Sequence, residues 1–139
     1  MRVEMFQSIP KQAIEIRQKV FVEEQGFQNE FDDIDYTAVH FVVFDDWEKP
    51  IATCRVFLDT QRNTYVLGRL AVTKENRGKD IGRLIVEEAE EYIRKIGGEE
   101  LQLHAQCRIT AFYNKLGFSS LGDVEDVEGC PHIWMRKVV

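Results

Sequence analysis

The feature that most constrains this chain is an apolar strand that runs through a basic turn into an amphipathic helix. The strand covers residues 65–72 and the helix covers residues 80–96. At the start of such a helix the first backbone N–H groups have no intrahelical partner, and together with the helix dipole they form a positive site for an anion. Arg77, Lys79 and Arg83 add positive charge there. The segment therefore predicts an anion-binding turn.

Two glycines, Gly78 and Gly82, allow the main chain of this turn to approach a ligand and to adopt a positive φ. The turn lacks the Gly-x-Gly-x-x-Gly pattern of dinucleotide-binding folds, and it lacks the Gly-Lys-Ser/Thr sequence that places a hydroxyl on magnesium. These absences favour a diphosphate held without an obligatory metal. An ordinary strand-to-helix connection has the same spacing, so the spacing alone leaves both interpretations open.

Hydrophobic periodicity and turn residues predict the element order β α β β β α β α β β. Three antiparallel strands that lead into a βαβ crossover predict an α/β (α+β) fold with a mixed, mostly antiparallel central sheet and helices on both faces. Ser8 is the expected cap of the first helix, and a polar loop is expected after that helix. The predicted strands are 2–6, 38–44, 50–58, 65–72, 100–105, 118–125 and 131–138, and the predicted helices are 10–21, 80–96 and 109–116.

Length and composition fit one domain over residues 1–139, because a chain of 139 residues with 44% hydrophobic content buries one sizeable core and leaves no room for a second. Charged residues interrupt the amino-terminal stretch where a secretory peptide needs an apolar run, and no apolar segment reaches the length of a membrane span. We therefore expect a cytoplasmic protein with no membrane partner.

The formal net charge of −6 argues against nucleic-acid binding, which needs a basic face, and mildly favours a cationic substrate. Three cysteines without a Cys-x-x-Cys pair predict neither a disulfide framework nor a metal site. One early stretch is strongly acidic, and it is either a lip that attracts an amine or a solvated surface. Its acidic residues are Glu23, Glu24, Glu30, Asp32, Asp33 and Asp35.

Residues 70–83 and residues 111–118, with the sequence Ala-Phe-Tyr-Asn-Lys-Leu-Gly-Phe, together resemble the GNAT superfamily of acetyl-CoA-dependent N-acetyltransferases. The phosphate loop of that family follows Arg/Gln-x-x-Gly-x-Gly/Ala, and residues 77–82 occupy the corresponding positions in this chain. Asp80 departs from the usual glycine, and we expect its side chain to turn to solvent or to cap the helix. The resemblance covers nearly the whole chain, since residues 17–25, 32–35 and 129–132 are similar to a small bacterial-type subgroup of single-domain GNAT proteins.

The resemblance implies a GNAT-like acyl-CoA N-acyltransferase fold with acetyl-CoA as co-substrate and no metal. It implies two catalytic residues: the Leu70 N–H would face the thioester oxygen, and Tyr113 would donate its phenolic proton to the departing thiolate. Gln106 stands where the family often has asparagine. The implied cofactor-binding residues are Leu70, Ala71, Val72, Arg77, Gly78, Lys79, Asp80, Ile81, Gly82, Arg83, Gln106, Phe112 and Tyr113.

The sequence leaves the general base open. The family often places a glutamate on the strand before the phosphate turn, where this chain has Val66 and Gly68. The candidates for the base are Glu24, Asp33, Asp35, His40, His104 and His132. Among these candidates, the expected acceptor-binding residues are Glu24, Asp33, Asp35 and His132.

These features predict an N-acetyltransferase that moves the acetyl group of acetyl-CoA to a primary amine of a small, cationic acceptor by direct attack. The alternative is a non-catalytic acyl-CoA-binding sensor or regulatory module that has lost its base, and both Asp80 and Gly68 fit this alternative. A thiol mechanism that pairs Cys107 with His104, or Cys130 with His132, lacks an evident third orienting residue. The edge strands at the end of the chain would allow a homodimer.

Overall fold

The computed structural model describes residues 1–139 and contains one seven-stranded sheet in the order β1-β2-β3-β4-β5-β7-β6. All neighbouring strands are antiparallel except β4 and β5, which are parallel. The predicted order of strands and helices is confirmed. The strands are β1 (Arg2–Phe6), β2 (Val39–Phe44), β3 (Pro50–Asp59), β4 (Thr64–Val72), β5 (Glu100–Gln106), β6 (Ser119–Val127) and β7 (Cys130–Val138).

Three α-helices cover the two faces of the sheet: α1 (Lys11–Arg17), α2 (Ile81–Lys95) and α3 (Thr110–Lys115). The apolar side of α1 packs with Val42 and Phe44 on one face. Helices α2 and α3 enclose the larger core on the other face. The predicted mixed sheet with helices on both faces is therefore confirmed. No helix is both long enough and apolar enough to cross a membrane.

The region after α1 differs from the prediction. The α-helix ends at Arg17 and continues as a π-helical segment, Gln18–Glu24, and a short 3₁₀ helix, Asp33–Tyr36, forms where a loop was expected. The expectation that Ser8 caps α1 was wrong, because Pro10 occupies the N-cap position and no side chain caps the helix. The wider π-helical turn leaves Phe21 only 8% exposed, facing the interior.

Strands β4 and β5 separate beyond a short paired region. Their pairing runs only from Tyr65 opposite Leu101 to Leu67 opposite Leu103. Directly after it, β4 carries a bulge, since its register against β3 shifts by one residue and Arg69 has a φ of 54°. A bulge bends its strand and redirects backbone groups. The bend therefore opens a slot between the two strands.

Candidate active site

Two cavities meet in the slot between β4 and β5. The larger has a volume of about 530 Å³ and extends from the end of β4 to the turn before α2. The smaller has a volume of about 150 Å³ and lies between β5, β7 and the loop that follows the π-helical segment. The two cavities are adjacent, because four residues line both of them: Phe21, Leu70, Gln106 and Ile109.

The turn before α2 forms one end of the larger cavity and presents free backbone donors. None of the N–H groups from Gly78 to Arg83 donates a hydrogen bond within the chain. Gly78 and Asp80 both have positive φ values, 78° and 61°. A run of unpaired N–H groups at a helix start binds anionic phosphate oxygens well, so this turn fits a pyrophosphate group.

Gly82 lies close to the Phe112 ring in the first turn of α2. A Cβ atom at this position would lie 3.1 Å from the Phe112 ring, which is tighter than ordinary van der Waals contact. Phe112 itself lines the larger cavity. The glycine therefore allows α2 and α3 to approach each other at the cavity wall.

The side chain of Asp80 turns to solvent, which is one of the two orientations expected from the sequence. It is exposed and makes no capping hydrogen bond, so the other alternative, a helix cap, was wrong. Aspartate is among the few residues besides glycine that adopt the left-handed conformation readily. The departure from the family pattern is thus compatible with the backbone of the turn.

Arg77 and Arg83, the two arginines of the turn, are held by carboxylates in this structure. Both guanidinium NH groups of Arg77 donate to the carboxylate of Glu24 at 2.8 and 2.9 Å, and its Nε donates to the Val72 carbonyl at 3.0 Å. The pKa of Glu24 is lowered by this bond. Arg83 pairs with Glu87 one helical turn away. Glu24 lies on the π-helical segment, so its bond to Arg77 joins two walls of the larger cavity.

The Gln106 amide is fixed where the two cavities meet. Its Nε2 donates to the Gln25 side chain at 2.8 Å, and its Oε1 accepts from Arg108 Nε at 2.9 Å. Leu70 lies across the slot from it, immediately after the bulge residue Arg69. The bulge thus sets the direction of the Leu70 backbone at this junction.

Tyr113 lies on α3 and lines the smaller cavity, with 5% of its surface exposed. Its ring packs edge-on against Phe112 and Phe118. Burial raises the pKa of its hydroxyl well above the ordinary value, and the nearby Cys54 thiol adds to the effect. The phenol is therefore protonated across the physiological range, which is the form that can donate a proton.

The structure separates the candidate bases. Only the rings of His104 and His132 line the smaller cavity, with their centroids 5.0 Å apart. Glu24 lies in the larger cavity, and Asp33 is exposed outside both cavities. His40 is buried, and its Nε2 hydrogen-bonds the Asp35 carbonyl at 3.0 Å. Of the expected acceptor-binding residues, His132 alone therefore lies in the smaller cavity.

Asp35 belongs to a buried ion-pair network rather than to either cavity. It accepts hydrogen bonds from Arg17 at 2.7 Å and from Arg55 at 2.8 Å. Burial opposes ionisation, but these two guanidinium groups outweigh it and lower the pKa of Asp35 to about 2. Glu30 joins the network through Arg17, at 2.8 Å, and through Arg69, at 3.1 Å. Part of the acidic stretch is thus internally neutralised and does not form a lip.

The thiol pairs have no supporting contact. His132 Nδ1 bonds the backbone carbonyl of Cys130 at 2.9 Å, and the Cys130 thiol lies against the Pro131 carbonyl. No three His, Cys, Asp or Glu side chains come together where they could hold a metal ion.

The residues that the π-helical segment and the bulge contribute were not predicted from the sequence. Phe21 and Gln25 both line the larger cavity, and no periodicity in the sequence indicates a π-helix. The bulge had a usable signal, because an isolated glycine inside a strand, here Gly68, often marks one.

Comparison with known proteins agrees with this geometry. Residues 6–139 match the family model of the acetyltransferase (GNAT) domain. An uncharacterised N-acetyltransferase of Bacillus subtilis is 32% identical over 131 residues, which are 91% of each chain. The structure superposes on a candidate N-acetyltransferase from Lactobacillus plantarum with a TM-score of 0.89, at 27% identity, over 99% of this chain and 97% of the other.

Two further solved structures share the fold. One is an acyl-CoA N-acyltransferase from Pseudomonas aeruginosa, with a TM-score of 0.85 at 23% identity over 99% of both chains. The other is an aminoglycoside 6'-N-acetyltransferase complexed with coenzyme A, with a TM-score of 0.73 at 16% identity over 99% of this chain and 97% of the other.

Proposed function

Because the chain belongs to the GNAT acetyltransferase family, we propose that it transfers the acetyl group of acetyl-CoA to a primary amine. The cofactor-binding residues are those expected from the sequence, and the turn from Arg77 to Arg83 holds the pyrophosphate. Leu70 and Tyr113 are the proposed catalytic residues. The Leu70 N–H stabilises the oxyanion that develops on the thioester, and Tyr113 donates a proton to the departing thiolate.

One observation supports this proposal above the others: two cavities of unequal size meet at Leu70. The larger ends at the free N–H groups of residues 78–83, which suit the pyrophosphate of a long, phosphorylated donor. The smaller is lined by Tyr113 and the two histidines, and it suits a compact acceptor. A donor and an acceptor that enter from opposite cavities would meet at the junction, where direct transfer needs no covalent intermediate on the protein.

The charge around the smaller cavity supports a small cationic acceptor. Strand β6, at the edge of the sheet, is exposed and acidic. Glu128, in the turn after it, lines the cavity, and its carboxylate accepts hydrogen bonds from the N–H groups of Gln28 and Asn29. An acidic rim attracts a protonated amine. The acidic residues of this edge are Asp123, Glu125, Asp126 and Glu128.

The experiment that tests this function is a turnover assay with acetyl-CoA and a panel of amines, in which the release of the CoA thiol is measured. The panel contains 1,4-diaminobutane, glycinamide, glucosamine and a lysine amide, with acetyl-CoA alone as the blank. We expect turnover above the blank with at least one cationic amine. Binding of acetyl-CoA without turnover on any amine would contradict catalysis and favour the sensor alternative.

A further inference from the structure

His132 lies on β7 in the wall of the smaller cavity. It is near the start of β7 and pairs with Gln106 of β5 in the sheet register. At this end of β5 the pairing with β4 has already stopped. The residue is 8% exposed, yet it lines the smaller cavity together with Tyr113 and Leu70. Phe27 packs edge-on against the ring, with the two ring centroids 6.5 Å apart.

The hydrogen bond of Nδ1 fixes the tautomer of His132. Nδ1 lies 2.9 Å from the Cys130 carbonyl oxygen. A carbonyl oxygen only accepts hydrogen bonds, so Nδ1 carries the proton and the lone pair of the neutral ring is on Nε2. No group of the protein hydrogen-bonds Nε2, which leaves this lone pair available to a ligand in the cavity.

His104, the other histidine of the cavity, is less suited to this role. Its ring stacks on Trp134 with a centroid distance of 4.6 Å, and its Nε2 is buried without a hydrogen-bond partner. Burial and the neighbouring His132 lower the pKa of His104. His104 is therefore neutral at physiological pH, and a proton that arrives on His132 meets no second imidazolium.

We propose that His132 Nε2 accepts the proton that the acceptor amine loses when it attacks the acetyl group. This inference rests on the proposed function. The N–C bond forms as one amine proton passes to Nε2, and the C–S bond breaks with its electron pair on sulfur. Tyr113 gives its phenolic proton to that thiolate. Solvent then takes the proton from the His132 imidazolium and returns one to Tyr113, so the protein ends unchanged.

Charged side chains from several neighbouring elements surround His132. The carboxylates on β6 and in the turn after it contribute negative charge, and the guanidinium of the β4 bulge contributes positive charge. Glu125 is directly opposite His132 in the β6 register. The ionisable groups that face this region are His104, Tyr113, Glu125, Glu128, Glu30 and Arg69.

The kinetic test compares the wild type with His132→Gln, and uses His104→Gln as the matched histidine variant. The dependence of kcat/KM on pH is measured with acetyl-CoA and two acceptors whose amines differ in pKa, 1,4-diaminobutane and glycinamide. An acidic limb that stays in place when the acceptor changes belongs to the protein. We expect such a limb in the wild type and in His104→Gln.

In His132→Gln we expect this limb to disappear and kcat to fall about 10²-fold or more, the usual contribution of a general base. Acetyl-CoA affinity, measured by calorimetry, should stay within about twofold, which also shows that the variant is folded. A His132→Gln enzyme with wild-type kcat and an intact acidic limb would overturn the inference.

A second readout does not depend on turnover. Long-range proton–nitrogen NMR of the acetyl-CoA complex should show His132 protonated on Nδ1 and unprotonated on Nε2, and the opposite tautomer would overturn the inference. No turnover by the wild type with any amine would overturn the proposed function and this inference with it. If the NMR spectrum then still showed the expected tautomer, the geometry of His132 would stand and only its catalytic role would be rejected.

Discussion

At the scale of single residues, Tyr113 carries the clearest prediction. Its buried phenol has a raised pKa and lines the smaller cavity. Tyr113→Phe removes only the hydroxyl, so we expect kcat to fall about 10²-fold or more while acetyl-CoA affinity changes by less than about twofold. Turnover assays and calorimetric titration measure the two quantities.

The control for this substitution is Tyr92→Phe on α2. The Tyr92 ring packs edge-on against Phe41, outside both cavities, so the loss of its hydroxyl should not change kcat. Equal losses of rate and of acetyl-CoA affinity in Tyr113→Phe would argue against Tyr113 as the proton donor.

Gly82 allows a second prediction at this scale. The Cβ atom of Gly82→Ala would lie 3.1 Å from the Phe112 ring, and the ring must move by a few tenths of an ångström. Because Phe112 lines the larger cavity, we expect weaker acetyl-CoA binding with little change in the free energy of unfolding. Gly78→Ala is the contrasting variant, since its Cβ meets no atom but its φ of 78° is strained for alanine. A Gly82→Ala protein that binds acetyl-CoA as the wild type does would show that Phe112 shifts without cost.

At the scale of elements, the π-helical segment and the turn before α2 are joined by the bond between Glu24 and Arg77. In the proposed function, the pyrophosphate of acetyl-CoA competes with Glu24 for the Arg77 guanidinium. Glu24→Gln should therefore strengthen acetyl-CoA binding about two- to fivefold, the range expected for releasing an exposed ion pair. Calorimetric titration at low salt measures this change.

Glu23→Gln is the matched control, because Glu23 is an exposed neighbour on the same segment. This substitution removes the same charge without releasing Arg77. We expect a much smaller change from it. Weaker acetyl-CoA binding by Glu24→Gln would mean that Glu24 orients Arg77 for the phosphate and does not compete with it.

Most elements of the fold could be predicted from the sequence, because their apolar periods are strong and glycines mark their ends. Helix α2 is the clearest case, predicted at 80–96 and found at Ile81–Lys95. The π-helical segment has no comparable signal, since one wide turn depends on how Phe21 packs. The GNAT resemblance is confirmed, and its motifs indicated the turn before α2 that we propose as the pyrophosphate site. They could not choose among the candidate bases, because the cavity that separates the candidates forms only when β5, β7 and the 25–32 loop come together.

At the scale of the whole molecule, the buried ion pairs tie the 25–36 region to α1 and β3. The pKa of Asp35 is about 2 in the folded protein, lower than its ordinary value of 3.8. Its ionised form thus stabilises the fold above about pH 4, and this contribution is lost as the pH falls to 2. We expect the wild type to lose about 2 kcal/mol of unfolding free energy from this group over that interval. Denaturant unfolding across that pH interval measures the loss.

Asp35→Asn should be less stable than the wild type at pH 7, because it leaves Arg17 and Arg55 with one carboxylate fewer, and its stability should depend less on pH below 4. Asp33→Asn is the control, an exposed aspartate of the same short helix that makes no ion pair. Identical acid unfolding of Asp35→Asn and the wild type would contradict this account of the network.

The central claim is that residues 77–83 hold the pyrophosphate of acetyl-CoA, and calorimetric titration tests it most directly. We would titrate acetyl-CoA into the wild type, into the double variant Arg77→Ala/Lys79→Ala, and into Arg94→Ala/Lys95→Ala at the other end of α2. We predict saturable binding that weakens about tenfold or more in the first variant only, with a smaller difference at higher salt. No saturable binding by the wild type, or equal affinity in all proteins, would contradict the claim.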